Sequence, residues 1–284
     1  QKPVLVMGHM DVVGADTSKW ETDAFVPTIQ GGYLYGRGAI DDKGMLAATL
    51  TAMTQLAQQR SRLDRDIVFF ATAGEEGGPI SGVEWMIQNR RDLIGDAEFA
   101  LNEGGRIRVQ DNAVRTVNIQ TTEKVYYNVV ATATGPSGHG SVPLPDNALA
   151  ALARAVNRVH EWRPPVRLIE TTRIYFQRLA TIEDDAEMKR AMEELTAATA
   201  SREQIDRAAA VLSRDPLHRA VLGTGASLTL LNGGFRSNVI PSEGRATFNV
   251  RILPVEDITE IVRMMNDVGG EERVTFALEG APAQ

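Results

Sequence analysis

The sequence predicts an α/β domain followed by an α+β domain. Three short apolar runs, at residues 4–7, 67–72 and 99–101, are bounded by glycine or charged residues, as is typical of buried parallel strands. Between them, apolar side chains recur at helical spacing over residues 45–58 and 83–94. Strands and helices therefore alternate along the first part of the chain, which is the pattern of an α/β fold.

The pattern changes near residue 115. Residues 117–119 and 126–134 alternate in polarity, which favours antiparallel strands with one exposed face. After a glycine- and proline-rich loop at 135–145, we predict helices at 147–162, 184–198, 203–213, 216–222 and 255–268, and strands at 227–231, 246–252 and 274–278. We place the first domain at residues 1–116 and the second at 117–284, with a helical insertion at about 166–224.

The composition is that of an ordinary globular protein. The chain has 284 residues, of which 43% are hydrophobic and 24% charged, and its formal net charge of -7 disfavours nucleic acid and anionic membranes as partners. The absence of cysteine excludes disulfides and cysteine-ligated zinc sites. No apolar stretch approaches the ~20 residues of a membrane-spanning helix. We expect a soluble protein, and its compartment stays open between cytoplasmic and periplasmic or secreted.

Four short glycine-containing segments place a histidine or carboxylates where a strand ends or a helix begins. They are GHMD at 8–11, GRGAIDDKG at 36–44, GEEGG at 74–78 and NEGG at 102–105. Such loops can converge at one edge of an α/β sheet. One histidine and several carboxylates brought together there are suitable ligands for divalent metal ions. If His9 is a ligand, Asp11 could hold its far ring nitrogen.

Each segment also has a simpler interpretation when it is taken alone. His9 could be a structural histidine, and Glu75-Glu76 could be a solvated turn. The pair Asp41-Asp42 could only cap the following helix. The coincidence of all four segments favours a two-metal site, which needs a bridging carboxylate, terminal ligands, and a free carboxylate that takes a proton from the bridging water. The adjacent glutamates could divide the roles of ligand and base.

Other catalytic motifs are incomplete. Residues 36–41 lack the third glycine of a dinucleotide-binding fingerprint, and the sequence has no P-loop Lys-Ser/Thr pair and no His-Glu-x-x-His. In GPSGH at 135–139, histidine replaces the last glycine of a serine-hydrolase elbow. His160 and His218 lie in charged helical surroundings, so we predict that both are surface residues.

At the four glycine-containing segments the chain resembles the M20 family of metallopeptidases and amidohydrolases, which includes carboxypeptidases of the G2 and S types, acylases and deacylases. The resemblance extends over nearly the whole chain. It implies an α/β catalytic domain that carries two zinc ions, an inserted ferredoxin-like lid domain, and dimerisation through that lid. Cobalt and manganese are alternatives to zinc, because histidine and carboxylate ligands accept all three.

The resemblance also implies roles for nine residues. The metal ligands would be His9, Asp41, Glu76 and Glu103, with Asp41 bridging, and Asp11 would lie behind His9. Glu75 would be the general base, and His139 from a partner's lid would stabilise the oxyanion. Asn238 and Arg251 would hold the substrate, the arginine through a carboxylate. The last three also have ordinary interpretations, as a solvated loop histidine, a turn residue and a surface charge on a strand.

The reaction that the resemblance implies is hydrolysis of an amide or peptide bond next to a free C-terminal carboxylate, by a water that bridges the zinc ions. A carboxypeptidase or dipeptidase is the first expectation, and an N-acyl amino-acid amidohydrolase is the second. An alternative of another class is a catalytically inactive, dimeric, peptide-binding relative. The expected partners are a small peptide or N-acyl amino-acid substrate and a second copy of the chain, without nucleic acid and without a membrane span.

The chain departs from the family pattern at its end. The family has a second histidine ligand near its C-terminus, whereas this sequence stops at Gln284, and its other histidines, His139, His160 and His218, lie in the predicted lid. The sequence also opens directly on a predicted strand, without an initiator methionine. We therefore expect a chain truncated at both ends, with an incomplete catalytic domain and a ligand missing from the Glu76 site.

Overall fold

The computed structural model of the chain describes residues 1–59, 62–77 and 81–280. They form two compact units, Gln1–Gln120 and Thr121–Gln284. The interpretation of these units as a catalytic domain and a lid stays a prediction. Across the described ranges, every helix is too short or too polar to span a lipid bilayer.

The first unit is built on a three-stranded parallel sheet. Its elements are β1 (Val4–His9), β2 (Thr28–Gln30), β3 (Tyr33–Tyr35), α1 (Lys43–Gln58), β4 (Ile67–Thr72), α2 (Gly82–Asn89), α3 (Arg91–Ile94), β5 (Phe99–Leu101), β6 (Arg106–Gln110) and β7 (Ala113–Asn118). The strand order is β4-β1-β5, and Val6 in the central strand is opposite Phe69 and Leu101. The three predicted parallel strands are therefore confirmed, as is the helix that follows the GRGAIDDKG segment.

Two features of the first unit differ from the sequence prediction. The single helix predicted at 83–94 is interrupted at Arg90, whose backbone (φ -141°, ψ 40°) leaves the helical region and separates α2 from α3. The strand predicted at 117–119 belongs to a longer hairpin, β6–β7. Its turn has positive φ at Asp111 (51°) and Asn112 (59°), the conformation of a tight hairpin turn that an Asp-Asn pair between alternating residues can signal.

The second unit contains a four-stranded antiparallel sheet covered on one face by two helices. Its elements are β8 (Val125–Thr134), β9 (Gly138–His139), α4 (Ala148–Glu161), α5 (Glu170–Ala180), α6 (Ala186–Thr196), α7 (Arg202–Leu212), α8 (Pro216–Val221), β10 (Gly225–Gly233), β11 (Val239–Ile240), β12 (Glu243–Ile252), α9 (Ile258–Gly269) and β13 (Val274–Leu278). The sheet order is β10-β12-β8-β13. Alternate residues of β8 and β12, such as Val129 and Phe248, form a buried core with Leu152 of α4 and Met265 of α9.

A separate helical segment, α5 to α8, is inserted between α4 and β10 and has its own core. Phe176, Met192, Leu195 and Leu212 are buried in it. The predicted helices at 184–198, 203–213 and 216–222 are confirmed within two residues at each end. Helix α5 was not predicted, because its Thr-Thr-Arg-Ile-Tyr-Phe run is rich in residues that favour strands. Packing of Phe176 among the other helices outweighs that local preference.

The two histidines that were predicted to be surface residues differ in the structure. His160 is exposed, as predicted. The prediction for His218 is wrong, because this side chain is only 9% exposed. Its ring lies edge-on to Tyr175 and Phe176, at centroid distances of 6.4 and 5.9 Å. The charged neighbours of His218 in the sequence gave no sign that this face of the short helix α8 packs against α5.

Candidate metal centre

The candidate metal centre lies at the carboxyl edge of the parallel sheet. Parallel strands end at the same edge, so the loops that follow β1, β4 and β5 adjoin one another and the start of α1. These loops carry His9, Asp11, Asp41, Asp42, Glu75, Glu76 and Glu103. The topology of the first unit thus places all four predicted segments in one region.

The imidazole of His9 is at the middle of this region and is only 2% exposed. Its Nε2 lies 2.9 Å from Oδ1 of Asp41 and 3.7 Å from Oε2 of Glu103. Its Nδ1 lies 3.0 Å from the main-chain carbonyl oxygen of Asp11. Each ring nitrogen of His9 therefore has an oxygen partner, and Nε2 faces the carboxylates.

Two overlapping groups of side chains could each hold a metal ion. The first consists of His9, Asp41 and Glu76, and the second of His9, Asp42 and Glu103; within each group, one ligand atom from every residue lies within 4.8 Å of the others. All four ligands predicted from the sequence are among these residues. Asp42 is an addition, because the sequence interpretation gave it no role beyond capping α1. Which of these residues bind an ion stays a prediction.

Asp11 is placed differently from the sequence expectation. The atom of Asp11 nearest to Nδ1 of His9 is the carbonyl oxygen, while the carboxylate is farther away, at 3.5 Å. The carboxylate instead accepts the main-chain N–H groups of Glu75 (3.3 Å) and Glu76 (3.0 Å). Burial raises the pKa of Asp11, but these N–H donors outweigh it and hold the pKa below its usual 3.8. Asp11 therefore orders the Glu75-Glu76 turn; Gly78, at the end of that segment, lies outside the described residues.

The charges around His9 favour its protonated form. Burial lowers the pKa of the imidazole, but the hydrogen bonds to Asp41 and to the carbonyl of Asp11 oppose this effect. The negative charges of Glu103 and Glu75 also raise the pKa of His9, which as a result lies above its usual 6.5. The surroundings of His9 thus favour a positive charge at this place.

The raised pKa of Glu103 also indicates an excess of negative charge around His9. Burial raises its pKa most, His9 lowers it, and the nearby carboxylates of Asp41, Asp42 and Glu75 raise it further, so the pKa of Glu103 lies above its usual value. Within the described chain, no lysine or arginine forms an ion pair with any of the clustered carboxylates. A histidine nitrogen and several carboxylate oxygens, gathered without a lysine or arginine partner among the described ion pairs, fit a divalent metal ion by donor type and by charge.

His139 and Asn238 lie together in the second unit. His139 is in β9 and is paired with Val239 of β11, and the carbonyl of Asn238 accepts the N–H of Gly140 at 2.8 Å. Nδ1 of His139 accepts the N–H of Ser141 at 3.2 Å. Nδ1 also lies 2.8 Å from Oγ of Ser141, so Nε2 is the ring nitrogen that these contacts leave available on the exposed His139.

Arg251 lies on β12 and lines a cavity of about 1670 Å³ within the second unit. Its Nε donates to Oδ1 of Asn249 at 3.1 Å, and its guanidinium lies over the ring of Tyr126, 5.6 Å from the centroid. These neutral neighbours hold the guanidinium without neutralising it. Arg251 can therefore bind an acidic group.

Comparisons with known proteins identify the family of this chain. The model of peptidase family M20/M25/M40 matches residues 5–227. "Probable carboxypeptidase S-like 2" of Dictyostelium discoideum is 32% identical over 285 residues, which cover 97% of this chain and 53% of that protein. "N-fatty-acyl-amino acid synthase/hydrolase PM20D1" of Homo sapiens is 28% identical over 283 residues, which cover 97% of this chain and 54% of that protein.

The crystal structure of human carnosine dipeptidase 1 has the same fold over most of this chain. The TM-score is 0.60 at 19% sequence identity, covering 98% of this chain and 61% of that one. This chain spans about half the length of the two relatives named above. The family model covers the segments that carry the candidate ligands and most of the second unit, and the chain therefore belongs to peptidase family M20/M25/M40.

Proposed function

We propose that the chain carries the metal centre of a hydrolase that cleaves an amide or peptide bond next to a free C-terminal carboxylate, as a carboxypeptidase or dipeptidase does. The observation that carries this proposal is the position of His9, whose imidazole belongs to both potential metal-binding groups. The carboxylates near His9 come from loops that are far apart in the sequence. This supports a binding site formed by the fold, rather than a helix cap or a turn formed by neighbouring residues.

Four side chains are the proposed ligands, namely His9, Asp41, Glu76 and Glu103, and Asp41 would be the carboxylate that both ions share. Zn²⁺ is the first choice, and Co²⁺ or Mn²⁺ are alternatives. Bound there, such ions would supply Lewis acidity and lower the pKa of a water molecule.

Glu75 is the proposed general base. It belongs to neither metal-binding group of the described residues, and its side chain is exposed. Its main chain is fixed by the carboxylate of Asp11. A carboxylate that is not used as a ligand can take a proton from the attacking water and return it to the leaving amine nitrogen.

The second unit is the proposed lid and dimerisation domain. Without the inserted helices α5 to α8 and the short strands β9 and β11, the elements follow the pattern strand-helix-strand-strand-helix-strand in chain order. The sheet order of these four strands is second-third-first-fourth, which supports a ferredoxin-like fold. In a homodimer, Nε2 of His139 would donate to the oxyanion in the partner's site. Asn238 and Arg251 would hold the substrate, the arginine by its bidentate contact with the terminal carboxylate.

An N-acyl amino-acid hydrolase is the second candidate. The cavity of the second unit is lined in part by apolar side chains, which include Leu149, Val156 and Leu228, and in part by polar and charged ones besides Arg251, such as Arg202 and Asp206. Its volume of about 1670 Å³ exceeds the roughly 300–1,000 Å³ of ordinary ligand pockets, so it has room for an acyl chain. The human relative, whose name refers to N-fatty-acyl-amino acids, favours the same class of substrate. The inactive-relative alternative has less support, because the four proposed ligands of this chain and the proposed base Glu75 are all present.

The test uses the complete gene product, purified without chelator. We expect about two divalent ions per chain by elemental mass spectrometry, and hydrolysis of dipeptides that a chelator abolishes and added Zn²⁺ restores. N-Acetyl and N-palmitoyl amino acids distinguish the second candidate, and C-terminally amidated versions test the need for a carboxylate. A protein that takes up no Zn²⁺ would leave the peptide-binding alternative in first place.

A further inference from the structure

Asp42 precedes α1, but its side chain does not cap that helix. Aspartates precede other helices of this chain and accept an N–H from the first turn; these are Asp16, Asp185, Asp215 and Asp257. Among the aspartates that precede helices in the described ranges, Asp42 is the one whose side chain accepts no N–H from the first turn of its helix. Its side chain is nevertheless buried, with 2% of the residue exposed. A buried carboxylate needs a partner elsewhere.

That partner is the main chain of His9. Its N–H donates to Oδ2 of Asp42 at 3.2 Å, in a buried hydrogen bond. The N–H of Met10 donates to the carbonyl of Thr72 in β4, so the N–H of His9 points to the other side of β1. On that side, the pairing of β5 with β1 has ended at Val6. The carboxylate of Asp42 therefore takes the place of a missing strand beside His9.

The residue before His9 is compatible with this contact because it is glycine. A Cβ added at Gly8 would lie 2.4 Å from Oδ2 of Asp42. Any larger residue would push the carboxylate away or move the end of β1. Gly8 and Asp42 are thus matched, although they lie in different segments of the sequence.

We propose that Asp42 is a positioning residue, whose carboxylate fixes the main chain of His9 and so aims the imidazole at the metal-binding groups before an ion binds. His9 is held by three hydrogen bonds: its main-chain N–H to Asp42, its Nδ1 to the carbonyl of Asp11, and its Nε2 to Asp41. The inference rests on the proposed metal-dependent function. It requires an acceptor oxygen at Asp42, whereas a role as metal ligand would require its negative charge.

The test separates these two roles by comparing Asp42→Asn with Asp42→Ala in the complete gene product. The measured quantity is the dissociation constant for Zn²⁺, by competition with a chromophoric chelator, together with the absorption spectrum of the Co²⁺-loaded protein. Loss of a residue that orients a metal ligand weakens metal binding by about 10–100-fold, which is the result expected for Asp42→Ala. Asp42→Asn keeps an acceptor oxygen and should bind Zn²⁺ like the wild type, with the wild-type Co²⁺ spectrum.

Two further variants complete the test. Gly8→Ala keeps the Asp42 carboxylate but places a Cβ 2.4 Å from its Oδ2, and should weaken Zn²⁺ binding as Asp42→Ala does. Its far-UV circular dichroism spectrum, compared with that of the wild type, shows whether the fold is retained. Asp16→Ala removes an exposed capping carboxylate in the same unit and should leave Zn²⁺ binding unchanged.

Several results would overturn the inference. Wild-type affinity in Asp42→Ala would show that the contact is dispensable, and equal losses in Asp42→Asn and Asp42→Ala would show that the charge matters. A wild-type protein that binds no metal would overturn the proposed function as well. Failure of the inference alone would appear as a metal-binding wild type with an unaffected Asp42→Ala variant.

Discussion

The carboxylate of Asp11 accepts the main-chain N–H of Glu76 at 3.0 Å, across 65 residues of sequence. It also accepts the N–H of Glu75, so one side chain fixes the turn that carries the proposed base and a proposed ligand. This contact leads to the first prediction. Asp11→Ala should lower kcat by about 10–100-fold, as expected when a residue that orients a metal site is lost.

Asp11→Asn should have a smaller effect, because its single amide oxygen can still accept one of the two N–H groups. Asp23→Ala is a suitable control, since Asp23 is an exposed carboxylate that accepts one N–H, from Phe25, in the same unit. Steady-state kinetics with a dipeptide would check the order of the three variants. Equal kcat in Asp11→Ala and the control would contradict the role of the turn.

The second prediction concerns Glu75. Glu75→Gln removes the carboxylate that takes the proton but keeps the size of the side chain, so kcat should fall by about 10²–10⁴-fold. Because Glu75 is outside both metal-binding groups, the metal content should not change. Glu21→Gln, at an exposed glutamate, is the matched control. Loss of metal in Glu75→Gln, by elemental analysis, would mean that Glu75 is a ligand instead.

The third prediction is a pH dependence of metal binding. The pKa of His9 is raised above 6.5, so protonated His9 stabilises the metal-free fold below pH 6.5, and this contribution is lost as the pH rises through the folded-state pKa. Metal binding requires the neutral imidazole, and the ion therefore competes with a proton. The apparent affinity for Zn²⁺ should fall by about tenfold per pH unit below the pKa of His9.

Isothermal titration calorimetry in buffers of different ionisation enthalpy would measure the protons that Zn²⁺ displaces. An affinity that stays constant between about pH 5.5 and 7.5 would argue against His9 as a ligand. The difference in melting temperature between metal-loaded and chelator-treated protein should widen over the same range as the pH rises.

The fourth prediction concerns substrate recognition by Arg251. Arg251→Ala should raise KM by about 10–100-fold for substrates with a free carboxylate, because it removes a charged hydrogen bond. The same variant should not affect substrates with an amidated terminus. Arg245→Ala is the control, since Arg245 lies on the same strand and is paired with Glu243. An equal rise in KM for both kinds of substrate would exclude a specific contact with the carboxylate.

The sequence predicted the elements whose pattern is local. Apolar runs identified β1, β4 and β5, and the glycine-containing segments identified the loops at their ends. The residues proposed as metal ligands could be placed in one region from the sequence, because the carboxyl ends of parallel strands share an edge. Strand topology predicts that these residues lie in one region, but it does not predict which of their atoms form hydrogen bonds.

The contacts that were missed are tertiary. An aspartate before a helix usually caps that helix, so the bond from the N–H of His9 to Asp42 could not be foreseen from the sequence around Asp42. Similarly, the bonds from the Glu75-Glu76 turn to Asp11 depend on the register of β1 with β4. The buried position of His218 was missed for the same reason, since its aromatic partners lie in α5, about 40 residues earlier.

The long sequence separations within the metal centre have a consequence for folding. The bonds of His9 to Asp42 and of Asp11 to Glu76 close loops of 33 and 65 residues. Such loops lose much chain entropy when they close, and non-local contacts of this kind form late and slowly. No single loop or isolated peptide can reproduce the site. Uptake of metal at the proposed site should therefore require that β1, β4 and the start of α1 have come together, so that it would report on tertiary assembly rather than on any one segment.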